Sequence, residues 1–333
     1  MTDTTNKMHQ DFSHPKTLMQ YLRIYLTGFA MGCADIVPGV SGGTIAFISG
    51  IYETLINAIK SFNLTALRKA LKFDIGGFVD HTALRFLIVL LLGIGTAFLL
   101  LANAMSYALE YQPTFLFAFF AGLIFASILA IGITVKWSMD AIIAFVVTTI
   151  AAYIIVSLPA LNNTDHSTLT LFFSGSIAIC AMILPGISGS FILLILGQYE
   201  YILNVIKDFT QTRDFGTMLP VVVPVALGCI IGIMLFSRVL SWTLKNYGNI
   251  TIAALTGFML GSLKTIWDNA VAGVPVVNPS GVLDGGQIVL VVGLMIFGFV
   301  LVSVIDHMQS GVNPVMSLVL PKKQSEAQPE TAS

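Results

Sequence analysis

The chain has 333 residues, of which 56% are hydrophobic and 10% charged, with a formal net charge of −1. An ordinary soluble domain carries roughly a quarter charged residues, so this composition excludes one and places the chain in a membrane. With no basic block interleaved with aromatics, it also argues against nucleic acid as a partner.

Residues 1–16 are polar and lack the order of a cleaved leader, a basic start followed by a short apolar core. They are expected to stay as a cytoplasmic arm. Leu18 to Asp35 reads as the first apolar segment, with Tyr21, Arg23 and Tyr25 as interfacial anchors. A Pro-Gly-rich stretch, 38–43, breaks it, and a second apolar piece, Thr44 to Ile59, falls short of the roughly 20 residues of a comfortable span. Two short apolar pieces around such a turn predict a re-entrant hairpin or a broken helix. Lys60 to Arg85 is predicted as an amphipathic helix on the membrane surface. Spans follow near 84–106, 114–135 and 139–159, then a link at 159–168 that holds no Lys or Arg.

The second half repeats the plan: a short piece at 169–184, a turn, a piece at 190–206, a charged link at 207–217, and spans near 218–243, 250–267 and 287–306. Residues 308–333 form a polar tail whose composition predicts disorder. The duplication is literal at the turns. Pro38-Gly39-Val40-Ser41-Gly42-Gly43-Thr44 returns as Pro185-Gly186-Ile187-Ser188-Gly189-Ser190. Gly50, Tyr52, Glu53, Asn57 and Lys60 return as Gly197, Tyr199, Glu200, Asn204 and Lys207, all at an offset of about 147 residues. Later, Gly93, Ser106, Gly122 and Ser127 match Gly228, Ser241, Gly257 and Ser262.

The expected architecture is therefore an all-α polytopic membrane protein of two repeats, 17–159 and 168–307. Each has a re-entrant or broken helical hairpin plus three transmembrane helices. Whichever form the hairpins take, each half begins and ends on opposite sides, so the repeats must be inverted in topology. Positive residues of the arm, the 60–85 stretch, Lys136, Lys245 and the tail fall on one side, which predicts cytoplasmic termini.

Non-helical backbone survives at membrane depth only where protein encloses it, so the two turns are expected to line a cavity. Proline ends the incoming helix, and the next helix starts near Thr44 or Ser190 with unpaired N–H groups pointing back into the turn. The hydroxyls of Ser41, Thr44, Ser188 and Ser190 and the amides of Gly42, Gly43 and Gly189 make a neutral but electropositive cradle suited to phosphate or carboxylate. The bland alternative is a glycine break that lets two helices pack closely.

Charges in apolar segments come next, since each implies a partner or a watery cavity. Arg85 and Arg238 are candidates for anion capture, and Asp35, Glu53 and Glu200 for coupling or gating. Alternatively, the glutamates pair with Lys60 and Lys207 or snorkel to the interface. Asp35 has no counterpart, because Met182 takes its repeat position. Cys33, Cys180 and Cys229 read as packing residues, and no ligand set stands at metal spacing.

The run Gly32-Cys33-Ala34-Asp35-Ile36-Val37-Pro38-Gly39-Val40-Ser41-Gly42-Gly43-Thr44, with Gly50-Ile51-Tyr52-Glu53, resembles the signature of the bacterial polyprenyl-phosphate transporter family (PopT, undecaprenyl-phosphate translocases). Leu184 to Ser190 is similar to that family's second signature, and the likeness runs from about Leu18 to Asp306. The resemblance implies a flippase, not an enzyme. Its substrate would be undecaprenyl phosphate, the lipid carrier of cell-wall and polysaccharide precursors, returned from the outer to the inner leaflet of the cytoplasmic membrane. It also implies that the two re-entrant loops, 38–44 and 185–190, take the phosphate. Gly43 becomes Ser190 in the second copy, so the loops are not expected to be equal. Beyond the substrate and membrane lipids no cofactor is implied. Coupling to protons or sodium, and homodimer formation, stay open. The rival readings are an integral-membrane polyprenyl-diphosphate phosphatase, which the absence of histidine from the loops disfavours, and a transporter of a small soluble anion.

Overall fold

The computed structural model describes residues 13–36, 41–161 and 164–310. The N-terminal arm up to residue 12, the 37–40 part of the first turn and the tail from 311 lie outside the described residues. Every regular element within them is helical. In chain order these are α1 (Leu18–Ile36), α2 (Gly42–Ile48), α3 (Tyr52–Lys60), α4 (Leu64–Leu71), α5 (Ile75–His81), α6 (Leu84–Tyr111) and α7 (Pro113–Gly132). They are followed by α8 (Met139–Ser157), α9 (Thr168–Ile183), α10 (Gly189–Ile195), α11 (Tyr199–Thr212), α12 (Phe215–Ala272), α13 (Val274–Val277) and α14 (Gly285–Ser310).

Five helices are long and apolar enough to cross a bilayer, and the bent pair α10 and α11 makes a sixth candidate. Long apolar side chains stand exposed on them, Leu99 at 87% and Val289 at 72%, as a lipid-facing surface requires. Polar caps mark the helix ends that need them: Ser138 accepts from Ala141 N, Ser167 from Thr170 N and Asp214 from Gly216 N, while Pro113 opens α7. At 58 residues α12 is far longer than any bilayer is thick, and its one non-helical residue, Tyr247 (φ −134°, ψ 39°), divides it in two. The predicted spans 218–243 and 250–267 fall on either side of that break.

The duplication is visible in packing. Gly93 on α6 abuts the Tyr25 carbonyl of α1, and its counterpart Gly228 on α12 abuts the Phe172 carbonyl of α9. Both pairs are glycine-to-backbone approaches that any side chain would push apart. The later helices pair across the halves: Gly122 of α7 meets the Met295 carbonyl of α14, and Gly257 in the second part of α12 meets the Phe145 carbonyl of α8. Each half thus lends its last helix to the other.

The pieces 44–59 and 190–206 are not continuous helices, and one expectation, the surface helix, needs correction. Gly50 (φ 70°) separates α2 from α3, and Gly197 (φ 66°) separates α10 from α11 with a bend of 108°. Nor is 60–85 one surface helix: Asn63 caps α4, Asp74 caps α5, and Phe73 (φ 56°) turns the chain between them.

Gly228→Leu is expected to destabilise by about 1–3 kcal/mol, the usual cost of forcing atoms into a packed contact, read as a lower thermal midpoint in detergent. Gly95→Leu, on the same kind of helix but with nothing within 4 Å of a Cβ, is expected to leave that midpoint unchanged.

Candidate functional site

Helix α9 ends at Ile183 because Pro185 cannot continue it, and its last carbonyls are left without intrahelical partners. Leu184 is extended (φ −66°, ψ 130°) and Gly186 takes φ +101°, a conformation that L side chains resist. A Cβ at Gly186 would also lie 2.5 Å from Ser262 Oγ and 3.1 Å from Met259 Cα, so glycine lets this turn lie directly on α12.

The orphaned carbonyls are taken up by the other half of the molecule. Ser41 Oγ donates to Met182 O at 3.3 Å with Leu184 O at 3.5 Å, and Tyr52 Oη donates to Ile183 O at 3.0 Å. Tyr52 is 2% exposed and Ser41 1%, so these are interior bonds, where an unpaired carbonyl is costly. Gly43 makes room for them: a Cβ there would stand 2.8 Å from Ile183 O and 2.9 Å from Met182 O.

Around the start of α2 every early amide has an acceptor. Gly42 N donates to Asp35 Oδ1 at 2.7 Å, Gly43 N to Ser41 Oγ at 3.1 Å, and Thr44 N to Ser41 O at 3.0 Å. Asp35, near the end of α1, therefore spans the first turn and supplies the negative charge that a helix start favours. Thr44 is fully buried, and its hydroxyl has no hydrogen-bond partner among the described residues. The second copy is built differently. Ser188 starts α10 without capping it and instead shares a 2.7 Å hydrogen bond with Ser190 Oγ. Met182 brings no carboxylate to the Asp35 position, and Tyr199 lies exposed where its counterpart Tyr52 is buried.

Ser41, Gly42, Gly43, Thr44, Ser188 and Gly189 are buried, with Ser190 partly so, and the two turns meet through the bonds just described. The charged candidates are dispersed. Arg85 is exposed at the start of α6, and Glu200 is exposed on α11. The Arg238 guanidinium donates to Met234 O of its own helix at 2.6 Å. Glu53 lines a cavity of about 340 Å³ with His14, Asn57, Asp80 and His81, and no residue of either turn is among its lining. Pairing of Glu53 with Lys60 is replaced by a bond from Lys60 Nζ to Ser241 Oγ at 2.9 Å.

Two residues not singled out for the site hold it in place. Tyr52 was visible only as half of a repeated pair, and nothing in its spacing says that it donates across the halves. Gln198 is fully buried at the α10–α11 bend. Its Nε2 donates to Thr164 Oγ1 and Asp165 O at 3.1 Å each, and its Oε1 lies 2.8 Å from His166 Nδ1. That clamp fastens the 158–167 link to the second hairpin, and a lone amide in an apolar stretch is the signal that could have found it. In the same link the Ser167 hydroxyl and amide hold the Asp165 carboxyl below the usual carboxylate range.

The comparisons with known proteins agree on one family. Residues 31–281 match the family described as undecaprenyl phosphate translocase-like. A polyprenyl-phosphate transporter of Vibrio cholerae is 42% identical over 250 residues, covering 75% of this chain and 78% of that protein. A polyprenyl-phosphate transporter of Staphylococcus aureus is 33% identical over 261 residues, covering 73% and 84%. No solved structure matches the chain. The matched span contains both turns, the seam between them and the whole of α12, and on that ground this multi-pass membrane protein belongs to the undecaprenyl phosphate translocase-like family.

Proposed function

We propose that the chain returns a polyprenyl monophosphate, undecaprenyl phosphate in the bacterial cytoplasmic membrane, from the outer to the inner leaflet, its head group crossing at the seam of the two hairpins. The observation that carries this reading is the bond set from Ser41 and Tyr52 to the α9 carbonyls, which joins two irregular backbone turns inside the helical body. The family supplies the substrate class. The tail is at home in the bilayer, so the large barrier is the phosphate, whose ionised form costs many kcal/mol to bury unpaired. The protein shields the head group and leaves the tail in lipid.

The phosphate-binding groups are the amides and hydroxyls of Ser41, Gly42, Gly43, Thr44, Ser188, Gly189 and Ser190, with Arg238 and Arg85 as cations on the way in and out. The unpartnered Thr44 hydroxyl is a donor waiting for an acceptor. At the first turn the Asp35 carboxylate occupies the place an incoming anion would take, so the phosphate displaces it from Gly42 N. One anion replaces another and the buried amide stays paired. A displaced Asp35 that takes up a proton gives a route to coupling, with Glu53 and Glu200 as gates nearer the surfaces. The halves 17–159 and 168–307 lie inverted, with both termini cytoplasmic, and one moves against the other to alternate access.

Ser41→Leu and Ser188→Leu are each expected to abolish transport, measured as head-group accessibility of polyprenyl phosphate across reconstituted vesicles. Folded variants that transport at the wild-type rate refute the site. Asp35→Asn keeps an acceptor for Gly42 N but cannot carry a proton. Its transport is expected to lose its response to an imposed proton gradient, and a response like that of wild type removes Asp35 from the coupling path.

A further inference from the structure

Beyond the hairpin seam, α12 carries cations on one face and no acidic residue of its own along that stretch. Arg238, Ser241 and Lys245 stand at i, i+3 and i+7, the spacing that brings side chains to one side of a helix. From Phe215 to Trp267 the helix contains no acidic residue. Lys60 joins this face from the end of α3: its Nζ donates to Ser241 Oγ at 2.9 Å, and Ser241 Oγ donates in turn to Asn57 Oδ1 at 3.0 Å. Ser241 is 8% exposed and Lys60 is half-buried, so the ammonium is partly desolvated. Its one hydrogen-bond partner among the described residues is a neutral hydroxyl. An ammonium has three donors, and two of these remain uncommitted.

Partly removing a cation from water and offering it only neutral partners costs free energy that an anion would recover. The position suits an anion in transit. The three α12 positions extend for about 10 Å along the axis, at 1.5 Å per residue, toward the break at Tyr247. There Asn249 fixes the link between α7 and α8, accepting from Lys136 N at 2.7 Å and donating to Lys136 O at 2.6 Å. Along the helix the half-buried Arg238 stands farthest from that break, Ser241 with its bonded Lys60 follows, and the exposed Lys245 is nearest to it.

We propose that Lys60, held by Ser241 and Asn57, and Lys245 form with Arg238 a staging site for a phosphate head group between the hairpin seam and the membrane face. The proposal rests on the reading that the head group crosses at the seam as phosphate, and it adds the route by which that group leaves or arrives. Two lipids carry the chemistry: the polyprenyl monophosphate itself, a monoester with up to two charges, and the phosphodiester of bulk anionic phospholipid. The position of Lys60 beside a neutral acceptor favours the monoester, which presents more acceptor oxygens to a partly desolvated ammonium.

The test uses the full chain in nanodiscs of neutral phosphatidylcholine and measures equilibrium binding of polyprenyl monophosphate and, separately, of phosphatidylglycerol. Lys60→Met is expected to weaken binding of the monophosphate about tenfold, the loss of one good charged contact, with Lys60→Arg staying close to wild type and phosphatidylglycerol binding unchanged. Lys245→Met, at an exposed position that the fold does not need, is expected to weaken monophosphate binding about threefold. Monophosphate binding that neither methionine variant weakens, in folded protein, overturns the staging site and leaves the seam untouched. Equal weakening toward phosphatidylglycerol also overturns it, by making the cations a bulk-lipid contact. Wild-type protein that binds no polyprenyl monophosphate overturns the transport reading itself.

Discussion

A helix that ends in a buried interior leaves carbonyls with no water to accept from, and in this protein that constraint joins the two halves. The end of α9 is closed by hydroxyls from Ser41 and Tyr52, residues that flank the first hairpin more than 130 positions earlier in the chain. Neither hairpin is complete alone. The first supplies the donors and the second the acceptors, and glycine at position 43 is what lets the backbones come close enough to exchange them. The same close approach recurs on a larger scale, where α7 lies against α14 and α8 against the second part of α12. The two halves interlock at the seam and again at their rims.

Much of this was legible in the sequence, and the reason is the repeat. A duplicated Pro-Gly-x-Ser-Gly turn between apolar segments too short to span predicts re-entrant hairpins or broken helices; in the second copy α9 stops at Ile183, α10 resumes at Gly189 and bends by 108° into α11, and in the first α2 starts at Gly42. Matched glycines at 93 and 228 pointed to equivalent helix contacts, and they make them. What was illegible depends on direction rather than spacing. A tyrosine in each copy says nothing about which one turns inward, yet Tyr52 is buried and Tyr199 exposed. In the run from Thr44 to Ile59 the pair Ser49-Gly50 stands at the break, but residue types alone do not give its angle, which is set by the positive φ of Gly50. Arg85 looked like a residue at the mouth of a span, and it is, but on the outside of α6.

The departures from symmetry carry more chemical information than the symmetry. Asp35 faces Met182 in the alignment of the halves, and Gly43 faces Ser190. In the first turn a carboxylate and a serine side chain consume the leading amides of α2, whereas in the second the two serines pair with each other and leave the start of α10 without a side-chain cap. A neutral cradle and one filled by its own carboxylate have different appetites for a phosphate. On the proposed reading this difference lets one turn receive the head group while the other must first give up an internal anion.

That distinction bears on how such a seam avoids becoming a trap. A pocket of many aligned donors with nothing in it would hold a dianionic head group too firmly to release it, since binding energy that is equal at every stage speeds nothing. On the proposed reading a resident carboxylate lowers the net gain, because a phosphate would have to displace Asp35 from Gly42 N before it could use that amide. Departure would then be assisted by the return of Asp35 to a partner only seven residues away in the chain. The cost of opening the site and the drive to empty it have one source, an internal anion that competes with the cargo. For that reason the loop lacking such a competitor is the one to which a head group would first bind, and the loop containing Asp35 is the one from which it would leave.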